Sequence, residues 1–291
     1  MSAEVTLRIL VHRFLKGKTR MRLRKYIESK LTPRELENKV NQIHKPVGSL
    51  GYDPWGYNTE SLGFGLTLTR FLYDKYFRVE TTGVENIPSH GPVMIIGNHS
   101  GQLPLDGMLI GYAIATREHA PRFPRCMIER FFPTVPYVGN YLNELGGVLG
   151  DPVNCAKMLA NDEAIIVFPE GVRGSGKLYR DRYQLKRFGN GFMHLAMQNN
   201  ATIVPVGVVG CEETIPAFAN ISPLARRLGL PYVPLAAPVV LPAKVYLNFG
   251  EPMHFPYDDI SEEEVTGRVE QVKRSISELI NQGLSKRKRL F

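Results

Sequence analysis

The segment Gly97-Asn98-His99-Ser100-Gly101-Gln102-Leu103-Pro104-Leu105-Asp106-Gly107 puts a histidine and a carboxylate within one short stretch. An imidazole with an ordinary pKa near 6.5 works as a base at neutral pH. A nearby carboxylate can accept the Nδ1–H, fix the tautomer and stabilise the imidazolium that forms when an alcohol is deprotonated. The segment follows an apolar run of strand type and precedes a helical one. It therefore lies at the carboxyl end of a strand, where open α/β sheets hold their ligands. His99 and Asp106 also suit a second reading, a structural hydrogen bond between loop and helix.

A second segment, Phe168-Pro169-Glu170-Gly171-Val172-Arg173-Gly174, ends another apolar run, Ala164-Ile165-Ile166-Val167, and belongs near the same sheet edge. Glu170, Gly171 and Arg173 in such a loop can hold polyol hydroxyls and a phosphate, because the planar guanidinium matches phosphate oxygens. An ordinary glycine-rich turn is the alternative. Gly171 to Lys177 also fits the spacing of a nucleotide-binding loop, Gly-x-x-x-x-Gly-Lys. Leu178 stands where the magnesium-binding hydroxyl belongs, and Glu170 would repel phosphate, so this reading is set aside.

Taken together, the two segments resemble the PlsC-type glycerolipid acyltransferases over about Asn86 to Pro252. Phe-Pro-Glu-Gly is the most specific element, with Arg173 in the family's arginine place. Asn98-His99 before Asp106 is similar to the first family block, although six residues separate His and Asp instead of the usual four, and Pro104 stands where that Asp belongs. Gly147-Val148-Leu149-Gly150-Asp151 resembles the second block and Ile203-Val204-Pro205-Val206-Gly207 the fourth. The resemblance makes Asp151 and Pro205 substrate-side residues, together with Glu170, Gly171, Arg173 and Gly101. Asp151 is followed by Pro152, not by a base, which weakens the case for a phosphorylated acceptor more than the case for acyl transfer.

What the resemblance implies is an O-acyltransferase with catalytic His99 and Asp106. It would move a fatty acyl group from acyl-CoA or acyl carrier protein, as co-substrate, to a glycerolipid hydroxyl. The first acceptor is 1-acylglycerol-3-phosphate; another lysolipid or a neutral lipid follows. A non-catalytic lipid-binding protein and a thioesterase on the same fold are the alternatives. The acceptor hydroxyl would attack directly, with N–H groups around Gly101 facing the oxyanion. No Gly-x-Ser-x-Gly elbow is present to supply a serine nucleophile. No cofactor or metal is expected, since no His/Cys/Asp cluster has ligand spacing.

These loops need a scaffold, and the text supplies one. Strand-type runs at 93–97, 164–168, 202–208 and 244–249, with weaker ones at 125–128 and 147–149, alternate with helical stretches at 105–115, 152–160 and 188–199. That alternation predicts an α/β domain with a mostly parallel central sheet flanked by helices, preceded by an N-terminal helical element. We place the domain at 79–291, closing on an amphipathic helix begun by Ser261 and Glu264. Residues 1–78 form the membrane-associating region, with a helix at 61–77 and an irregular connector at 32–60.

The first thirty-one residues hold nine bases and two acids, nearly the whole net charge of +8. Leu7, Leu10, Val11 and Phe14 recur among those bases at helical spacing, which suits an anionic phospholipid surface. A solvated basic helix packed on the domain is the alternative. No apolar run is long enough to span a bilayer, so the protein is placed at the cytoplasmic face of a membrane, peripheral or monotopic. Its expected partners are that surface, the acyl thioester and a lysolipid acceptor, and not nucleic acid. The three cysteines read as buried reduced thiols.

Overall fold

A computed structural model describes residues 32–43, 47–100, 103–130, 138–221, 223, 225, 227, 232–258 and 260–287. The basic segment 1–31, Gly101 and the last four residues lie outside the described residues.

The described chain opens with helices α1 (Arg34–Gln42) and α2 (Thr59–Phe71), the latter ending in a wider π turn, Leu72–Tyr76. It continues through β1 (Glu80–Thr82), β2 (Val93–Gly97), α3 (Leu105–Thr116), β3 (Arg125–Ile128), α4 (Val138–Glu144), β4 (Gly147–Leu149) and α5 (Pro152–Ala160). Then come β5 (Ala164–Val167), the single turn α6 (Val172–Ser175), α7 (Gly191–Gln198), β6 (Thr202–Val209), and the turn α8 (Cys211–Thr214). The last elements are β7 (Ala217–Asn220), β8 (Pro234–Ala236), β9 (Tyr246–Phe249) and α9 (Glu262–Lys286).

A seven-stranded sheet has the order β1-β9-β6-β2-β5-β3-β4. Strands β2 to β6 run parallel, while β9 is antiparallel to β6 and parallel to β1. The fold is thus the mostly parallel α/β sandwich that the alternation of runs predicts. Every residue of β2 is buried, as expected of a strand covered on both faces. Met94 and Ile96 point into one core with Met158 of α5, Phe192 and Met193 of α7, and Val269 and Ile276 of α9. Val93 and Ile95 point the other way, against Leu109, Ile110 and Ile114 of α3. Each such side chain contributes about 1.5–3 kcal/mol by leaving water.

The capping box at the start of α9 forms: Ser261 Oγ receives the Glu264 N–H at 3.3 Å, and Glu264 Oε2 receives the Ser261 N–H at 2.9 Å. Its apolar face is buried as the spacing predicts. Gly207 lets that face approach β6 closely, since a Cβ there would stand 2.7 Å from the Ile280 nitrogen. The connector is not wholly irregular. Arg34–Gln42 is helical because Leu36 and Val40 bury together against Leu62 and Leu66 of α2. Among the described residues no helix is long and apolar enough to cross a membrane.

Candidate active site

Strands β2 and β5 are direct neighbours, with Ile96 opposite Val167, so the loops carrying His99 and Glu170 leave the sheet side by side. Asn98 sets the departure of the first loop. Its buried amide donates to the Val208 carbonyl at 3.0 Å and receives the Val208 N–H at 2.8 Å. The side chain thereby takes over the ladder pairing with β6, and the backbone is released to turn at His99.

His99 Nδ1–H donates to Asp106 Oδ2 at 2.7 Å. The longer spacing is therefore no barrier, because Asp106 sits in the first turn of α3 and points back under the loop. Asp106 is fully buried; Oδ2 also receives the Ser100 N–H at 2.8 Å, and Oδ1 receives that of Gly107 at 2.7 Å. A carboxylate only accepts, so the proton resides on Nδ1 and Nε2 keeps its lone pair. Nε2 has no hydrogen-bond partner among the described residues, and 13% of the side chain stays exposed. Phe168 stacks on the ring, centroids 4.5 Å apart, and fixes its plane. Burial pulls the imidazole pKa down, but Asp106, with Glu129 and Glu170 behind it, more than offsets this and holds it above the ordinary 6.5. The result is a stronger base than free histidine.

Glu170 takes a different place from the one expected of a substrate-binding group. It is buried, with Oε1 receiving the His99 N–H at 3.0 Å and Oε2 receiving the Lys186 N–H at 2.8 Å. Lys177, also buried, lies 3.4 Å from Glu170 and 2.8 Å from Glu212 of α8. Glu170 is thus a brace under His99, drawn inward by two backbone donors and a lysine. Lys177 is spent on carboxylates, which disposes of the nucleotide-loop reading. Burial raises the Glu212 pKa and Lys177 opposes that rise. Lys177→Met would leave two buried carboxylates uncompensated, and is expected to destabilise the fold by about 3–5 kcal/mol in urea denaturation.

Gly171, with φ 54°, makes the turn into α6, and Arg173 is exposed on that turn. Gly174 is the tighter constraint, because a Cβ there would stand 2.7 Å from His99 Cβ and 2.8 Å from Glu170 Cβ. Gly174→Ala should push the imidazole aside. A displacement of that size is expected to lower kcat by about 10²-fold with the circular dichroism spectrum unchanged.

Two further residues are not where the resemblance puts them. Asp151 follows β4 on the same edge, but its carboxylate caps α5, receiving Asn154 N–H at 2.9 Å and Asn154 Nδ2–H at 2.8 Å. It is three strands away from β2. Pro205 is buried within β6 opposite Ile96, and its carbonyl takes the Gly250 N–H at 2.8 Å. It serves the ladder, because it lies mid-strand, four residues before the end of β6 at Val209, with its side chain buried.

Glu129, unremarked in the sequence, follows β3 on the site edge, and among the described residues its buried Oε1 has no hydrogen-bond partner. Burial raises its pKa and His99 lowers it. Burial also raises the thiols, Cys126 to about 12 and Cys155 to about 11, so these act as small apolar side chains. Ser100 is buried with its hydroxyl 3.5 Å from Asp106, away from Nε2, and is no nucleophile. Among the described residues no cluster could hold a metal ion.

The family model that matches is described as Acyltransferase and covers residues 78–209, which include His99, Asp106 and Glu170. An uncharacterized protein of Mycobacterium leprae is 35% identical over 84% of this chain and 70% of its own length. Another, of Mycobacterium tuberculosis, is 33% identical over 89% and 78%. A Bos taurus protein named "DGAT1/2-independent enzyme synthesizing storage lipids" is 26% identical over 69% and 59%. Among solved structures, the 1-acyl-sn-glycerophosphate (LPA) acyltransferase PlsC of Thermotoga maritima shares the fold, with a TM-score of 0.50 and 20% identity over 93% of this chain and 88% of that one. Matched by this family model and by relatives of this extent, the chain belongs to the PlsC-type acyltransferase family.

Proposed function

We propose that the protein transfers a fatty acyl group from acyl-CoA or acyl carrier protein to a glycerolipid hydroxyl, with His99 as general base. The observation that carries this is a histidine whose Nδ1–H is held by a buried carboxylate and whose Nε2 has no partner among the described residues. Nε2 takes the hydroxyl proton as the alcohol oxygen attacks the thioester carbonyl. The tetrahedral intermediate expels the thiolate, and the imidazolium returns its proton to the sulfur. The new C–O ester bond replaces the C–S bond, and the enzyme is regenerated without a covalent intermediate.

The acceptor that the sequence motifs favour is 1-acylglycerol-3-phosphate. A neutral acylglycerol is the second reading, supported by the buried Glu129 oxygen, which has no partner among the described residues, and by the storage-lipid name of the bovine relative. A carboxylate beside the base repels a phosphate and accepts from a hydroxyl. Mass spectrometry of products from acyl-CoA with a panel of lysolipid, glycerol phosphate and acylglycerol acceptors tests both. A new ester on one acceptor names the substrate; free fatty acid regardless of acceptor would instead mark a thioesterase.

We place the protein peripherally on a membrane, with segment 1–31 contributing charge. Deleting 1–31 is expected to weaken cosedimentation with anionic vesicles, most at low salt, where basic residues near the surface contribute about 1 kcal/mol each. Unchanged binding would remove that role.

A further inference from the structure

Past β6 the chain leaves the main sheet on the edge that carries His99. Gly210, with φ 104°, and the turn α8 lead into β7 and β8, which pair antiparallel as a separate two-stranded flap. The flap leans on the loop that braces the site. Asn220 Nδ2–H donates to the Gly176 carbonyl at 3.3 Å, and the Tyr232 ring lies against Gly176. Gly174, next along that loop, touches His99. The flap therefore forms part of the rim over the base.

The surface it presents is apolar. Phe218 is 63% exposed and Leu235 56%, with Val239 at 60% beyond them. In β7 only Ala217 is buried, so the strand contributes almost nothing to the core. Phe218 lies 6.3 Å from the Tyr179 ring, and the Arg182 guanidinium covers that ring at 4.5 Å. From Arg173 to Arg187, five bases besides the buried Lys177 face one acid, Asp181. Exposed apolar side chains, an aromatic that bridges to a guanidinium and a basic margin fit the boundary between acyl chains and anionic headgroups. A second copy of this chain fits poorly, because pairing two such faces would bring like charges together without neutralising them.

We propose that the β7–β8 flap is a membrane-docking surface, with Phe218 and Leu235 entering a leaflet rich in anionic phospholipid and Arg180 and Arg182 among its headgroups. The mouth over His99 then opens toward the lipid in which the acceptor is dissolved. The acceptor part of this statement rests on the proposed function, whereas the docking does not.

The test uses the full chain and vesicles of phosphatidylcholine with phosphatidylglycerol, at high salt so that contributions from exposed bases are screened. Phe218→Trp should gain emission that phospholipids brominated along the acyl chain quench, measured against the unsubstituted protein, whose sole tryptophan is Trp55. Phe218→Ser with Leu235→Ser should lower vesicle partitioning by at least about tenfold and keep turnover on a short-chain, water-soluble acceptor. If the emission gained in Phe218→Trp stays unquenched on bound vesicles, the proposal is overturned even where the double variant fails to fold. Unchanged partitioning of the double variant would overturn it too, as would a dimer in solution that the double variant abolishes without any vesicle binding. If no acceptor is ever acylated, the reading of function fails while the quenching still decides the docking.

Discussion

His99→Ala should lower acyl transfer by about 10²- to 10⁴-fold, the usual contribution of a positioned general base, and leave the fold in place. Its removal loses the stack on Phe168 and the Nδ1–H bond to Asp106, and costs about 1–3 kcal/mol. Asp106 keeps the Ser100 and Gly107 N–H donors, and Glu170 keeps the His99 backbone N–H. The thermal unfolding midpoint should therefore fall by only a few degrees and vesicle binding stay unchanged while turnover collapses. Retained turnover would remove His99 from the chemistry.

Asp106→Asn is expected to have an effect of comparable size by a different route. Oδ2 receives both His99 Nδ1–H and Ser100 N–H, and Oδ1 receives Gly107 N–H. An amide nitrogen at either position faces a donor, so the variant either loses a backbone bond or forces His99 to carry its proton on Nε2, where it cannot act as base. The pH profile separates this from simple damage. The base works neutral, and its pKa is raised above 6.5, so the acid limb of kcat/KM should have its midpoint above 6.5. Removing the Asp106 charge leaves burial dominant, and the midpoint should move to lower pH. The raised pKa also stabilises the fold, fully below pH 6.5, and this contribution is lost as pH rises through the folded value. An acid limb that does not move in Asp106→Asn would separate the carboxylate from the base.

What was legible in the sequence follows from physics of short range. The strand at 93–97 falls at the expected residues because a buried parallel strand reads as a continuous apolar run, and the shorter 125–128 and 147–149 fall where their weaker runs put them. The C-terminal helix was legible in its capping box and its face. The strand β1 was not, since Glu80–Thr82 is half-exposed and is held only by pairing with the distant β9. The flap β7–β8 escaped for the same reason, having neither a buried face nor an alternating pattern.

Within the site, the two loops and their edge were legible, and the partners of their charges were not. Glu170 looks like a ligand group until Lys177, Lys186 N–H and His99 N–H are seen to claim it. Lys177 resembles a phosphate lysine until Glu212, far along the chain, is found 2.8 Å away. Asn98 carried a visible signal, an amide at the end of an apolar run, but its partner Val208 belongs to another strand. Asp151 and Pro205 were assigned by motif position alone, and a helix cap and a sheet ladder account for them.

The central claim is direct attack of an acceptor hydroxyl, deprotonated by His99, on the acyl thioester. Rapid-quench measurement of thiol release from acyl-CoA, with and without the acceptor identified in the panel, tests it most directly. Direct attack predicts one thiol per ester formed, no burst without acceptor, no acyl group on the protein, and loss of release in His99→Ala. A burst of thiol without acceptor, with the acyl chain left on the protein, would contradict it.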